Sequence, residues 1–132
     1  MVFHFNREAR PPNKIVPCKW AGTPNKGSGL RAADGQVKAD THIGLPVQEM
    51  RIPDSVLRIT RHKGRGIETQ HPAVFPVWPP EFLMRAYTDE GDTIYEPFCG
   101  SGRTIIAAEI TGRICRAMDI DARYINVTVQ RW

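Results

Sequence analysis

The clearest pattern of apolar and polar positions lies in the last third of the chain. Thr93 to Tyr95 form a short run of β-prone residues, and the turn-forming sequence Gly100-Ser101-Gly102 interrupts the chain soon afterwards. Good helix formers follow from Arg103 to Thr111, and Gly112 stands where a helix commonly ends in a left-handed glycine. A second apolar run extends from Ile114 to Ile120. The pattern therefore predicts a strand, a glycine turn, a helix and a second strand.

One more helix is predicted before this half of a βαβ unit, and another after it. The first runs from Pro79 to Tyr87, with Phe82, Leu83 and Ala86 on its buried side. The second begins at Arg123 and continues to Trp132, and the side chains expected to face the sheet are Tyr124, Val127, Arg131 and Trp132.

The first fifty residues show no comparable periodicity. Residues 21–40 are rich in glycine and polar residues and carry almost no apolar anchor, so we expect a flexible loop or a disordered stretch there. We divide the chain into an irregular segment, 1–50, and an α/β part, 51–132.

Composition narrows the class of protein. A chain of 132 residues with 41% hydrophobic content allows one small domain. It contains neither a signal peptide nor an apolar run of roughly 20 residues, so we expect a cytoplasmic protein that does not enter a membrane. The three cysteines form no CxxC pair and the four histidines are widely separated, which favours reduced thiols and no metal site.

The glycine turn predicts a ligand. Gly100 and Gly102 allow the backbone to approach a bound molecule closely, and the start of the next helix attracts an anionic group. Asp119, at the end of the second apolar run, is placed to accept hydrogen bonds from ribose hydroxyls. A nicotinamide site would require glycine at Ile105, and a phosphate-binding loop would require lysine at Arg103. The residues therefore indicate an adenosine derivative with an anionic group, although a simple tight turn would use the same glycines.

Three segments, in this order along the chain, resemble the motifs of the amino-group DNA methyltransferases, which methylate cytosine N4 or adenine N6 with S-adenosylmethionine. His71 to Pro76 precede a helix, Glu96-Pro97-Phe98-Cys99-Gly100-Ser101-Gly102-Arg103-Thr104 is similar to the DPF-x-GSG-TT motif, and Ala117 to Asp121 with Tyr124 resembles the ribose segment. The resemblance covers residues 50 to 132. It implies an α/β fold, namely part of a Rossmann-like methyltransferase preceded by an irregular basic segment.

The resemblance also assigns roles to residues. Asp119 would hold the ribose, Phe98 and the two glycines would line the methionine end, and Glu96 would order the turn or contact the methionine ammonium. Cys99 precedes a helix, but this family is not thought to use a covalent cysteine. The full set of expected S-adenosylmethionine contacts is Ala73, Glu96, Phe98, Gly100, Gly102, Thr104 and Asp119.

A basic run upstream is the candidate for DNA contact. Residues 51–66 carry five basic residues against one acid, and glycines within the run would let it follow a phosphate backbone. A solvated surface loop is the alternative interpretation. The candidate phosphate contacts are Arg58, Arg61, Lys63 and Arg65.

One expected motif is absent from the sequence. The family's catalytic tetrapeptide, Asp/Asn/Ser-Pro-Pro-Tyr/Phe/Trp, does not occur, since the two Pro-Pro pairs are Arg10-Pro11-Pro12-Asn13 and Trp78-Pro79-Pro80-Glu81. That tetrapeptide binds the flipped target base in this family. Three interpretations stay open: a DNA methyltransferase or a fragment of one; an inactive remnant, or a subunit completed by a second chain or an oligomer, that binds cofactor or DNA; and an enzyme acting on RNA or another substrate.

Overall fold

The computed structural model describes residues 11–27, 33–36, 42–59 and 75–132. These residues form two compact units, one of residues 14–53 and one that combines residues 11–13 with 54–132. The elements of the first unit are strands β1 (Val16–Pro17) and β2 (Met50–Arg51). Those of the second, in chain order, are α1 (Trp78–Tyr87), β3 (Thr93–Glu96), α2 (Arg103–Ile110), β4 (Ile114–Ala117) and α3 (Ala122–Arg131).

Strands β3 and β4 pair in parallel, with Thr93 opposite Ile114 and Glu96 opposite Ala117. The helix α2 connects them. A parallel pair requires such a crossover, because a tight hairpin turn can join only antiparallel strands. The predicted order of strand, glycine turn, helix and strand is therefore the observed one, and the α/β fold class is confirmed.

Helices α1 and α2 pack against one face of this sheet. Met84 of α1 and two alanines of α2, Ala107 and Ala108, are buried together, and Ile94 and Cys115 of the sheet pack against them. The sequence pattern placed Phe82 and Leu83 on the buried side of α1, but both are only half-buried, whereas Met84 is buried. The small alanines of α2 let α1 approach closely, and the long, flexible methionine fills the remaining space.

The helix α2 ends at the glycine that the sequence predicted. Gly112 adopts a φ of +70°, its N–H donates to the carbonyl of Glu109, and the N–H of Arg113 donates to the carbonyl of Ala108. This is the Schellman arrangement, which satisfies carbonyls that the helix leaves unpaired. The predicted role of Gly112 as the residue that ends this helix is therefore confirmed.

The C-terminus of α1 is held by side chains from two other segments. Arg113 donates from Nη2 to the carbonyl of Thr88 at 2.8 Å and from Nε to the hydroxyl of the same residue at 3.1 Å. Asn13 donates from Nδ2 to the carbonyl of Arg85 at 3.0 Å. These bonds fix α1 beside the start of β4, so the helix layer and the sheet form one body within this unit.

The opposite face of the sheet is exposed within the described part of the chain. Side chains alternate between the two faces of a strand, and the alternate positions Tyr95, Ile114 and Arg116 point away from α1 and α2. Tyr95 is 68% exposed and donates its hydroxyl to the sulfur of Met118 on the same face. None of the helices in the described residues has the length and apolarity needed to cross a membrane.

In the unit of residues 14–53, the described residues form a ribbon held by backbone hydrogen bonds. β1 and β2 are antiparallel, and the pairing continues past them through bonds from Cys18 to Glu49, from Gly22 to Val47 and from Asn25 to Leu45. The sequence analysis expected a flexible loop or a disordered stretch at residues 21–40, whereas residues 21–25 belong to this ribbon in the structure. The pairing uses main-chain groups, which leave no apolar periodicity in the sequence to detect.

Candidate functional site

The carboxyl ends of β3 and β4 bring two acids and the glycine turn together. The parallel ladder continues past the strands, because the N–H of Met118 donates to the carbonyl of Glu96 and the N–H of Cys99 donates to the carbonyl of Met118. Each strand then ends at an acid, Glu96 on β3 and Asp119 shortly after β4. The edge of the sheet at which ligands bind in α/β proteins is therefore lined by carboxylates.

Asp119 connects the second strand to the turn. Its Oδ2 accepts a hydrogen bond from the N–H of Gly100 at 2.8 Å, and its Oδ1 accepts one from the N–H of Asp121 at 3.0 Å. A carboxylate has roughly four lone-pair sites, so these two bonds leave capacity for two more donors. The side chain is half-buried, which leaves part of it accessible to a ligand.

Glu96 orders the first part of the turn. Its Oε1 accepts from the N–H of Phe98 at 2.9 Å, and its Oε2 accepts from the hydroxyl of Thr104 at 2.9 Å. The carboxylate thus ties the end of β3 to the first turn of α2 across the glycine segment. Of the two roles expected for Glu96, ordering the turn is the one that these bonds support.

Gly100 and Gly102 both have positive φ angles, +51° and +76°, which side chains rarely allow. Gly102 is also crowded: a Cβ atom there would lie 2.6 Å from Cγ2 of Thr128 and 2.9 Å from its Oγ1. The same threonine donates its hydroxyl to the carbonyl of Gly100 at 3.0 Å. Helix α3 therefore rests directly on the glycine turn.

Two arginines accompany this contact. Arg131 of α3 donates from Nη1 to the carbonyl of Ser101, and Arg103 at the start of α2 is 4% exposed. Burial lowers the pKa of Arg103, and the positive charge of Arg131 lowers it further. Arg103 is therefore a buried cation close enough to Arg131 for the two positive charges to repel each other.

The cysteine within the turn is buried, and its surroundings disfavour the thiolate form. Burial raises the pKa of the Cys99 thiol, and the negative charge of Asp119 raises it further. Burial likewise raises the pKa of Cys115 in β4. Because only the thiolate is a strong nucleophile, the environment of Cys99 argues against covalent catalysis.

Six of the expected cofactor contacts converge on this edge: Glu96, Phe98, Gly100, Gly102, Thr104 and Asp119. Phe98 is 84% exposed, so its ring is available to a ligand. Ala73 and three basic residues, Arg61, Lys63 and Arg65, lie outside the described residues, whereas Arg58 is described and exposed.

Helix α3 makes contacts with the glycine turn that the sequence analysis did not predict. Thr128 and Arg131 contact the turn although they lie almost thirty residues after it, and no local sequence pattern predicts such a contact. Val127 is buried and Tyr124 half-buried, in line with the expected face, but Trp132 is 73% exposed. The last residue of the chain therefore does not pack on the sheet as expected.

A glycine turn between two parallel strands, with an acid after the second strand, is an arrangement that α/β proteins use to bind adenosine-containing ligands at the carboxyl ends of their strands. The sequence model of the N6 and N4 DNA methylase family matches residues 20–130. The chain belongs to this family of DNA methylases, as the motifs had indicated. The family's methyl donor is S-adenosylmethionine.

Curated relatives are methyltransferases of bacteria. The orphan methyltransferase M.BamHII of Bacillus amyloliquefaciens is 33% identical over 88 residues, which are 67% of this chain and 32% of that protein. The type II methyltransferase M2.DpnII of Streptococcus pneumoniae is 36% identical over 62 residues, 47% of this chain and 23% of the other. The chain thus spans a third or less of the length of these relatives.

Among solved structures, the cytosine-N4-specific PvuII DNA methyltransferase matches 61% of this chain and 32% of its own, with a TM-score of 0.54 at 27% identity. M1.HpyAVI in complex with S-adenosylmethionine matches 61% of this chain and 39% of its own, at 22% identity and a TM-score of 0.49.

Proposed function

We propose that the chain carries the cofactor half of a DNA methyltransferase that transfers a methyl group from S-adenosylmethionine to an exocyclic amino group, cytosine N4 or adenine N6. One observation carries the proposal: Asp119, shortly after β4, accepts a hydrogen bond from the N–H of Gly100 in the turn that follows β3. The acid and the glycine turn are thereby kept at one edge of the sheet, as an adenosine ligand requires.

The residues at this edge fit the cofactor. The remaining acceptor capacity of Asp119 suits two ribose hydroxyls, and Glu96 adds a second negative charge that suits the methionine ammonium. The exposed ring of Phe98 offers an apolar surface beside them. We assign Gly100, Gly102, Thr104 and Ala73 to the same site. The bound cofactor supplies an activated methyl group, while these residues bind and orient it.

We propose that further polypeptide, in a second chain or an oligomer, supplies the catalytic tetrapeptide and more strands of the sheet. Parallel sheets are normally covered on both faces, whereas Tyr95, Ile114 and Met118 are exposed on the face opposite α1 and α2. A compact monomer in gel filtration, with a sharp thermal transition, would contradict this proposal. Binding of cofactor or DNA without catalysis by this chain alone is the second candidate function, since the tetrapeptide is absent from its sequence.

DNA is the proposed substrate, and Arg58, Arg61, Lys63 and Arg65 are the proposed phosphate contacts. Arg58 is exposed, which leaves its guanidinium accessible to a polyanion. Because DNA and S-adenosylmethionine are both found inside cells, we propose a cytoplasmic location.

Calorimetric titration with S-adenosylmethionine tests the cofactor site. We expect saturable binding by the wild-type chain, loss of binding in Asp119→Ala, and weakened binding in Asp119→Asn, which keeps one acceptor oxygen. Glu109→Ala, which removes an exposed acid on α2, is the matched control and should bind normally. Absence of binding by a folded wild-type chain would refute the proposal, and so would equal binding by Asp119→Ala.

A further inference from the structure

The unit of residues 14–53 presents an exposed tryptophan that the proposed cofactor chemistry does not use. Trp20 is 64% exposed, although tryptophan is usually one of the more buried side chains. It lies in a turn of the ribbon, where its carbonyl accepts hydrogen bonds from the hydroxyl of Thr23 at 2.7 Å and from the N–H of the same residue at 3.1 Å. The turn is therefore ordered by its own bonds while the indole faces outward.

A cleft of about 500 Å³ opens beside this ring. Its volume falls in the range that small-molecule and nucleotide sites occupy. The backbone around it is anchored, because Asn25 pairs with Leu45 and Thr23 pairs with Val47 across the ribbon. Its lining is formed by Trp20, Thr23, Pro24, Asn25, Lys26 and Val47.

Among the described residues, the charged side chains that line the cleft or contact its ring are basic. Lys26 belongs to the lining, and Nζ of Lys19 lies 5.1 Å from the centre of the Trp20 ring, within the range of a cation–π contact. None of the described residues that line the cleft is acidic. An aromatic ring flanked by lysines combines a stacking surface for a base with positive charge for its phosphate, which is how proteins bind unstacked nucleotides.

We infer that this cleft binds an unstacked nucleotide of DNA, with the base on the Trp20 ring and the adjacent phosphates on Lys19 and Lys26. The inference rests on DNA being the substrate of the proposed function and adds a contact that lies in the other unit of the chain. A neutral apolar ligand or an acidic peptide would use only part of this arrangement.

Fluorescence anisotropy with a labelled twelve-nucleotide thymidine strand tests the inference on the full chain. Base–aromatic stacking predicts that Trp20→Ala weakens binding by about five-fold or more, whereas Trp20→Phe, which keeps a ring, retains most of the affinity. Lys26→Ala should weaken binding and reduce its dependence on salt. Trp132→Ala is the matched control, since Trp132 is also exposed but lies on α3, and it should bind like the wild type.

A second measurement does not depend on the affinity of an alanine variant. In a Trp78→Phe/Trp132→Phe protein, Trp20 is the single tryptophan that remains, and the DNA strand should quench its fluorescence by stacking. The inference would be overturned if Trp20→Ala bound the DNA strand as tightly as the wild type, or if Trp132→Ala weakened binding as much as Trp20→Ala. Either result would leave DNA binding by the chain intact. Absence of any DNA binding by the wild-type chain would instead overturn the DNA part of the proposed function together with this inference.

Discussion

Gly102→Ala is the substitution that most directly tests the packing of α3 on the glycine turn. Two separate costs are expected. The φ of +76° is unfavourable for any residue with a Cβ atom, by about 1 kcal/mol or more. The new methyl group would also lie 2.6 Å from Cγ2 of Thr128, and relieving such an overlap in a packed region costs about 1–3 kcal/mol. The free energy of unfolding should therefore fall by about 2–4 kcal/mol.

Gly91→Ala separates the two costs. Gly91 has a φ of +84°, close to that of Gly102, but nothing lies within 4 Å of the position of its Cβ. This variant should lose about 1 kcal/mol, which is the conformational cost alone. Urea denaturation followed by circular dichroism measures both variants against the wild type.

A double-mutant cycle with Thr128→Ala identifies the partner in the overlap. Because Thr128→Ala removes the two nearest atoms, Gly102→Ala should cost at least about 1 kcal/mol less in that background than in the wild type. Equal losses for Gly102→Ala and Gly91→Ala, or strict additivity in the cycle, would show that α3 does not rest on the turn.

Two further predictions concern ionisable groups near the site. The pKa values of Cys99 and Cys115 are raised by burial above the ordinary 9.0, so their contribution to stability is complete below pH 9 and is lost as the pH rises toward their folded-state values. Under reducing conditions, a Cys99→Ala/Cys115→Ala protein should lose less stability between neutral and alkaline pH than Cys18→Ala, and parallel curves would contradict this. Glu96→Ala should lower the free energy of unfolding by about 1–3 kcal/mol, because it leaves two donors without a charged acceptor. Glu96→Gln, which keeps one acceptor, should lose less, and equal stability of Glu96→Ala and the wild type in urea denaturation would refute the ordering role.

Local chemistry made much of the α/β unit predictable. Gly112 ends α2 because a left-handed residue follows the helix, and glycine adopts that conformation at little cost. The order of strand, turn and helix follows from runs of β-formers and helix formers that lie next to each other in the sequence. Gly100 and Asp119 were expected at one site because the ends of parallel strands meet at the same edge of a sheet, and the family resemblance added Glu96.

Burial within helices was predicted less well. Leu83 was expected in the core and Met84 was not, yet Met84 is buried and Leu83 half-buried. The hydrophobic pattern shows which residues prefer to be buried, but which of them reach the core depends on the neighbouring helix. Here Met84 reaches the core because it packs against the small side chains of Ala107 and Ala108, which lie more than twenty residues further along the chain.

By itself, the sequence determined the βαβ half-unit, the glycine turn and the acids at its edge, because propensities, helix ends and strand ends are local properties of the chain. Only the tertiary structure decided that Thr128 closes over Gly102 and that Trp20 stands at an open cleft in a hydrogen-bonded ribbon. Both facts depend on contacts between residues far apart in the sequence. Steric overlap and main-chain pairing act through distance in space, and a linear pattern of residue types does not record that distance.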